Sequence, residues 1–393
     1  MIETGFKLDF FITFIILLTS FIKVGKFITK HQNNLSRNNA LYWQHCLSTL
    51  FLFTIIEGLR YGRGRDYIWY KDQYESILTP LVNQEPIFTL ISKSCYFIGI
   101  PYWGMFSIYA FTWVWFTFFL FKHNKYLAAW GLPLFFLGSV WNMEAMIRQS
   151  FALAFLLPLL NYIPQKQWKK SFVLIVIASL IHTASIITAS LFFSIYIILK
   201  KEIKLWISIP IYLFFAYIWD ISNINAVTDI IGIINLGTNK LASYTENADN
   251  WFSSDAINTE EFARGAFAKL AATIFELSIF ILGYLSIQKE KGQAFVKKNI
   301  FIYNIFVIGS IGLQSVFTLE ILRRIFDPLY IMWSLVAANI FYCYQKKTKN
   351  IGILLLKIAI IIYIISYFII KYRILFPSQM FIWDIGNYNK IIQ

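Results

Sequence analysis

Long apolar runs alternate with short polar segments along almost the whole chain. Several of these runs approach the roughly 20 consecutive apolar residues with which an α-helix crosses a bilayer. The pattern therefore predicts membrane-spanning helices joined by loops, with about 12 spans in all. The predicted spans are residues 6–22, 41–58, 101–121, 126–143, 147–163, 171–182, 184–199, 205–220, 265–287, 299–318, 325–344 and 351–371.

Composition supports an all-α polytopic membrane protein. Hydrophobic residues make up 58% of the 393 residues and charged residues only 14%, whereas soluble domains carry about 25% charged residues. So few charges cannot cover the surface of a soluble domain of this size. A soluble enzyme, a disordered chain and a disulfide scaffold are therefore excluded, and residues 1–393 are interpreted as a single transmembrane domain.

The basic residues set one orientation for the predicted spans. The net charge is +14, and most lysines fall in short loops between apolar runs, as the positive-inside rule predicts for cytoplasmic loops. This placement argues against a nucleic-acid partner. Keeping these lysines on one side requires a broken helix pair within residues 171–199, with the break at His182 and Thr183. Such breaks are tolerated at membrane depth where they line a cavity.

Two longer polar segments fall on the opposite, outer side. Segment 59–100 begins basic and ends in a short apolar stretch from Pro86 to Ile100, which predicts an interfacial or re-entrant helix. Segment 221–264 is rich in acidic residues. Loops of that length in compact domains are commonly functional, so this one is predicted to be an outer loop and a candidate lid.

Arginine is concentrated on the predicted outer side. The positive-inside rule does not explain it there, because the rule concerns positive charge in cytoplasmic loops. The arginines there are Arg60, Arg63, Arg65, Arg148, Arg264, Arg323, Arg324 and Arg373. A guanidinium is planar, permanently charged and able to bind phosphate through two parallel hydrogen bonds. The pattern indicates a polyanion site at the outer membrane boundary, for which a lipid pyrophosphate is the natural ligand. The alternative is that these arginines snorkel to the interface or pair with acids in their own loops.

Four short motifs occur in order at predicted helix ends on this outer side. They are Arg60-Tyr61-Gly62-Arg63-Gly64-Arg65-Asp66-Tyr67, Glu85-Pro86-Ile87-Phe88, Arg148-Gln149-Ser150-Phe151-Ala152 and His182-Thr183-Ala184. They resemble the R-x-G-x-G-x-D-Y, E-P-x-F, R-Q-x-x-A and H-x-S/A motifs of the EpsG family of Wzy-type bacterial polysaccharide polymerases. Arg324 matches a further arginine of the family, although Asp327 and Pro328 replace the Tyr-Phe pair that usually follows it. The resemblance spans roughly residues 40–330.

The resemblance implies a GT-C-like membrane glycosyltransferase. Such an enzyme takes a growing glycan from undecaprenyl pyrophosphate and transfers it to the non-reducing end of a fresh lipid-linked repeat unit. The reaction takes place on the periplasmic, outer face of the bacterial inner membrane. The implied partners are the undecaprenyl-pyrophosphate-linked oligosaccharide, membrane lipid and a polysaccharide copolymerase that regulates chain length.

Transfer from a pyrophosphate places negative charge on the leaving group, and preorganised cations stabilise such charge strongly. We expect Arg60, Arg148, Arg323 and Arg324 to bind the donor pyrophosphate. The chain contains no Asp-x-Asp motif of the kind that holds a metal ion. A metal-independent reaction without a cofactor is therefore predicted.

An acceptor hydroxyl also needs a general base, and Asp66 and His182 are the first two candidates. Asp66 follows the glycine-rich turn at Gly62 and Gly64, which could bring it close to substrate. An ion pair with a neighbouring arginine is its alternative role. His182 lies at the predicted helix break, where it could equally be a buried structural histidine.

Glu85 and Glu144 are the two further catalytic candidates. Glu85 precedes Pro86 and could simply begin a helix, because a carboxylate interacts favourably with the helix dipole there. Glu144 lies four residues before Arg148, which on one helix would place the two side chains on the same face. It could therefore orient that arginine instead of taking part in catalysis.

Three other functions stay open at this stage. A ligase-like glycosyltransferase that acts on a lipid A core would also need outer arginines and a base. A lipid-linked oligosaccharide flippase should show cationic residues deep in several helices and a repeat between its halves. Few charges fall inside the predicted spans, Lys357 being the clearest, which favours an enzyme over a flippase. A non-catalytic scaffold would not depend on its outer arginines for activity.

Overall fold

The computed structural model describes residues 8–64, 66–76, 85–219, 265–293, 295–317, 320–345 and 350–373, and within them the chain is helical with no β-strand. Segment 221–264, Arg65 and Arg264 lie outside the described residues. The helices are α1 (Leu8–Lys30), α2 (Gln32–Arg37), α3 (Asn39–Gly58), α4 (Tyr67–Glu75), α5 (Pro86–Phe97), α6 (Tyr102–Lys122), the 3-10 turn Lys125–Leu127, α7 (Ala128–Ala145), α8 (Ile147–Leu156), α9 (Leu159–Tyr162), α10 (Trp168–Ile181), α11 (Ser185–Ile198), α12 (Leu205–Tyr217), α13 (Ala266–Lys289), α14 (Val296–Ser315), α15 (Glu320–Tyr330), α16 (Trp333–Cys343) and α17 (Ile351–Arg373).

The all-helical prediction is confirmed, and every predicted span falls on one or two helices. In the described residues, five helical segments are long and apolar enough to cross a membrane. They are Phe11–Lys30, Tyr102–Lys122, Ala266–Lys289, Val296–Ser315 and Leu322–Cys343. Helices α11, α12 and α17 are also apolar, but their apolar stretches are shorter, at 10–17 residues. The total of about 12 spans and the GT-C-like architecture therefore stay predictions.

The predicted helix break lies where the loop charges require it. Helix α10 ends at Ile181, and α11 begins at Ser185. His182 between them has the extended conformation φ −154°, ψ 111°. The broken pair is therefore confirmed, and it carries His182 on a short connection between two helices.

Aromatic side chains hold the first helices together. The ring of Phe21 on α1 lies 4.8 Å from Phe136 on α7 and 5.9 Å from both Phe53 on α3 and Phe118 on α6. All four rings are buried. Ring pairs at such distances contribute about 0.5–1.5 kcal/mol beyond the area that they bury. One aromatic layer thus joins four helices that come from separate parts of the sequence.

The helices alternate between two ends of the bundle. Helix α6 runs from Tyr102 to Lys122, α7 returns to Ala145, and α10 later rises from Trp168 to Ile181. Tyr102, Ala145 and Ile181 therefore share one end, which we call the arginine end because Arg60, Arg148 and Arg324 lie there. Lys122 and the loop before Trp168 lie at the opposite, lysine end.

Candidate active site at the arginine end

The chain turns sharply after α3 because two glycines adopt positive φ angles, 69° at Gly62 and 98° at Gly64. Side chains other than glycine rarely adopt such angles. A Cβ at Gly64 would also overlap the backbone oxygen of Glu144. The turn therefore packs directly against the end of α7, and the glycine spacing of the first motif has a structural cause.

Four charged side chains form a buried cluster around this turn. Arg63 Nη2 lies 2.9 Å from Glu57 Oε1 and 3.2 Å from Glu144 Oε1. Arg60 Nη1 lies 3.3 Å from Glu57 Oε2. All four side chains are buried, and their formal charges cancel. Removing one partner of a buried pair leaves an uncompensated charge, so such pairs resist being separated. The pairs of this cluster therefore hold α3 and the following turn against the end of α7.

A second cluster, partly open to solvent, joins three of the four motifs. Arg148 Nη1 donates to Glu85 Oε2 at 2.8 Å, and Nδ1 of His182 lies 3.4 Å from Glu85 Oε1. The Glu85 side chain is only 6% exposed, whereas 23% of Arg148 and 21% of His182 are exposed. Glu85 thus binds an accessible guanidinium through one oxygen, while its other oxygen lies close to an accessible imidazole whose Nδ1 makes no hydrogen bond within the described residues.

Aromatic side chains fix the orientation of Arg148. Its Nε donates to the Tyr70 hydroxyl at 2.5 Å. Its guanidinium carbon lies 5.6, 5.5 and 5.9 Å from the ring centres of Trp69, Tyr70 and Phe88. Burial raises the pKa of the Tyr70 hydroxyl to about 12 although the charge of Arg148 opposes the shift. The hydroxyl is therefore protonated at neutral pH and accepts the hydrogen bond of the arginine.

A small cleft lies beside this second cluster. It is lined by Gln149, Leu153, Leu156, His182, Ala184, Ser185, Thr188, Arg324 and Pro328. Gln149 Nε2 donates to the backbone oxygen of Arg324 at 2.6 Å, which ties α8 to α15 across the cleft. The polar side chains of His182 and Arg324 therefore share one concave site.

Close helix packing sets the position of α15. A Cβ at Gly312 on α14 would overlap the ring of Phe326, and one at Gly309 would lie 2.6 Å from the backbone nitrogen of Tyr330. Small residues let helices approach closely in membranes. Helix α15, which carries the two arginines Arg323 and Arg324, is therefore seated against α14.

Six of the eight predicted site residues fall into two groups. Arg148, Glu85 and His182 come together, and His182 also lines the cleft with Arg324, although the four residues are far apart in sequence. Arg60 and Glu144 lie in the buried cluster with Arg63 and Glu57. Arg323 lies over the ring of Phe317 at 4.9 Å. Asp66 is half-buried at the N-cap of α4, and its backbone oxygen accepts the Tyr70 amide.

The predicted pairing of Glu144 with Arg148 along one helix is wrong. Helix α7 ends at Ala145, Met146 adopts φ −119° and ψ 68°, and α8 begins at Ile147. This break removes the helical spacing, so Glu144 pairs with Arg63 and Arg148 pairs with Glu85. Glu85 does begin a helix, as the alternative for it proposed, but its side chain makes no capping hydrogen bond and contacts Arg148 instead.

Sequence reasoning missed Glu57 and Tyr70. Glu57 had a usable signal, because a carboxylate within an apolar run is expensive unless it has a partner. Its partners Arg60 and Arg63 follow three and six residues later. Nothing in the sequence separates Tyr70 from the other tyrosines, since its role depends on the position of Arg148.

No group of three or more His, Cys, Asp and Glu side chains in the described part of the chain could hold a metal ion. The arrangement can bind an anion through Arg148 and Arg324 and can offer an imidazole close by.

The fold and site define a class: a helical membrane protein with an arginine-bearing cleft at one end of its helices. The chain matches the model of the EpsG family over residues 42–381 and belongs to that family. EpsG is a family of Wzy-type polymerases, so the chain is a membrane protein with a glycosyltransferase-like polysaccharide polymerase function. Comparison with curated proteins and with solved structures finds no match.

Proposed function

We propose that the protein elongates a polysaccharide by transferring the growing glycan from undecaprenyl pyrophosphate to the non-reducing end of a lipid-linked repeat unit. The reaction would take place on the periplasmic face of the bacterial inner membrane, which corresponds to the arginine end. The observation that carries this proposal is the shared contact of Glu85 with Arg148 and His182 beside the cleft. It brings an anion-binding group and a basic group to one place, as transfer from a pyrophosphate requires.

Arg148 and Arg324 are the groups that we assign to the donor pyrophosphate, with Arg323 on the same helix in support. Arg148 is partly exposed, and its guanidinium is already oriented by Tyr70 and Glu85. A preorganised cation needs no rearrangement when charge develops on the leaving group. Arg60 is 2% exposed and paired with Glu57, so we assign it a positioning role around the first motif.

His182 is the base that the geometry supports best. Glu85 Oε1 lies 3.4 Å from Nδ1, and a carboxylate that closes to hydrogen-bond distance at one ring nitrogen would hold the proton there and leave the other nitrogen free to accept. His182 also lines the cleft. Asp66, a turn before Tyr70 on α4, is the second candidate, and the position of Glu144 inside the buried cluster favours a structural role for it.

The bond between the anomeric carbon of the donor and its phosphate oxygen breaks, and the acceptor hydroxyl forms the new glycosidic bond. The hydroxyl proton passes to Nε2 of His182. The electron pair leaves with the pyrophosphate, whose charge Arg148 and Arg324 stabilise. A polysaccharide copolymerase is the protein partner that we expect from the family.

Arg148→Ala in cells tests the assignment. We expect polymer to disappear at normal protein level, and Arg148→Lys to restore only part of it, because lysine cannot bind phosphate bidentately. Arg37→Ala is the matched control, since Arg37 is exposed and lies at the lysine end. Full-length polymer from Arg148→Ala would overturn the assignment.

A further inference from the structure

Four lysines converge on one histidine at the lysine end. Lys122 ends α6, Lys125 begins the 3-10 turn, and Lys170 and Lys298 lie in the first turns of α10 and α14. The pKa of His123 is lowered to about 4, first by partial burial and then by the positive charges of Lys298, Lys122, Lys125 and Lys170. Four separate elements thus bring like charges together.

Buried amide groups form the floor of this lysine cluster. Lys298 Nζ donates to Asn161 Oδ1 at 3.2 Å and to the backbone oxygen of His123 at 3.4 Å. Asn161 is fully buried and also accepts a hydrogen bond from Asn124 at 3.1 Å. The Asn161 Nδ2 group has no hydrogen-bond partner within the described residues. Asn124 Oδ1 beside it also has no partner within the described residues, so the two buried amides leave one donor and one acceptor unpaired beneath the lysines.

Within the described residues, no carboxylate neutralises the positive charge of the cluster. No carboxylate of the described chain forms an ion pair with these four lysines. Lys122 and Lys170 lie over the rings of Trp43 and Tyr162, at 6.0 and 5.5 Å. The nearby Glu290 accepts hydrogen bonds from Asn299, Asn339 and Cys343 instead. An anion from outside the chain would relieve the mutual repulsion of the lysines.

The surface beside the cluster is apolar. Helix α10 begins at Trp168, next to the cluster, and exposes Trp168, Phe172 and Val173, the last two by 68% and 55%. Exposed aromatic and aliphatic side chains next to lysines are typical of a membrane surface, where the chain contacts acyl groups below and headgroups above. A free anion would gain nothing from this neighbouring surface, whereas a lipid would use both parts.

We propose that the cluster of Lys122, Lys125, Lys170 and Lys298 binds the phosphate headgroup of an anionic phospholipid, whose acyl chain lies along the exposed face of α10. The phosphate joins the lysine ends of α6, α10 and α14. Because α10 ends at Ile181 beside His182, the lipid also supports the helix that leads to the cleft. This site is separate from the donor site and does not depend on the proposed reaction.

Native mass spectrometry of the purified full-length chain tests the proposal, with phosphatidylglycerol and phosphatidylcholine as probes. The test variant is Lys122→Gln/Lys170→Gln/Lys298→Gln. The control is Lys200→Gln/Lys201→Gln/Lys204→Gln, which removes the same charge from another loop at the same end. Each lysine at a lipid surface contributes about 1 kcal/mol, so we expect phosphatidylglycerol binding to weaken roughly five-fold for each lysine removed from the cluster. The control should keep its lipid.

Three outcomes would overturn the proposal. Equal weakening in both triple variants would mean that only net charge attracts the lipid. Displacement of the lipid by excess inorganic phosphate would mean that the cluster takes a free anion. Equal retention of phosphatidylcholine would mean that the headgroup charge is irrelevant. If the triple variant does not fold, Lys170→Gln alone serves, because Lys170 is exposed.

Discussion

Replacing Glu85 by glutamine should abolish most activity while leaving the protein folded. The change keeps the shape of the side chain and removes the charge shared by Arg148 and His182. A hydrogen bond to a charged group contributes about 1.5–3 kcal/mol. Glutamine still offers an oxygen to Arg148, so the cost should lie near the lower figure. Domains have stabilities of about 5–15 kcal/mol, which such a loss leaves positive.

The loss of activity should be far larger than the loss of stability. Without the carboxylate the imidazole of His182 is no longer oriented as a base, and a positioned general base contributes roughly 100- to 10,000-fold to a rate. The assay is polymer formed per unit of protein in isolated membranes, beside a thermal unfolding curve. Glu75→Gln is the matched control, because Glu75 is an exposed carboxylate paired with Lys71 at the same end. Wild-type polymer yield from Glu85→Gln would refute the reasoning.

Two further substitutions test how the first motif is built. Arg63→Ala leaves the carboxylate of Glu144 buried without this partner, so the free energy of unfolding should fall by about 3–5 kcal/mol. An unchanged melting temperature in detergent would contradict the buried cluster. Gly64→Ala should reduce folded protein strongly, since its φ is positive and the new Cβ meets the backbone of Glu144, whereas Gly99→Ala has a positive φ but open space and should cost only about 1 kcal/mol. Similar yields of the two glycine variants, measured by size-exclusion chromatography, would show that the close approach at Gly64 does not matter.

Sequence patterns carried the prediction of helices, of the break at His182 and of a common arginine end. These features follow from apolar length and from the placement of charge along the chain, which are local properties. The boundary at Met146 agrees with the predicted spans 126–143 and 147–163, but the proposed pairing of Glu144 with Arg148 treated the residues on both sides of it as one helix. The total of membrane spans also depends on more than hydropathy, since α11 and α12 are apolar yet short.

The sequence predicts which residues belong to the site, but it does not predict which of them contact each other. Arg148, Glu85 and His182 were all candidates. Glu85, however, contacts partners that lie 63 positions (Arg148) and 97 positions (His182) further along the chain. Such contacts depend on how α5, α8 and α10 pack. The burial of Arg60 could have been anticipated from Glu57, since a carboxylate in an apolar run needs a nearby cation.

A reconstituted polymerisation assay distinguishes a metal-independent polymerase from a flippase. Purified full-length protein would be incubated with its lipid-pyrophosphate repeat unit, with and without EDTA, and the products separated on a ladder gel. We expect a ladder that survives EDTA, persists in Arg37→Ala and vanishes in Arg148→Ala. A ladder from Arg148→Ala would contradict the pyrophosphate site, and loss of the ladder in EDTA would contradict a metal-independent reaction. Movement of the lipid between leaflets without any ladder would show that the protein is a flippase.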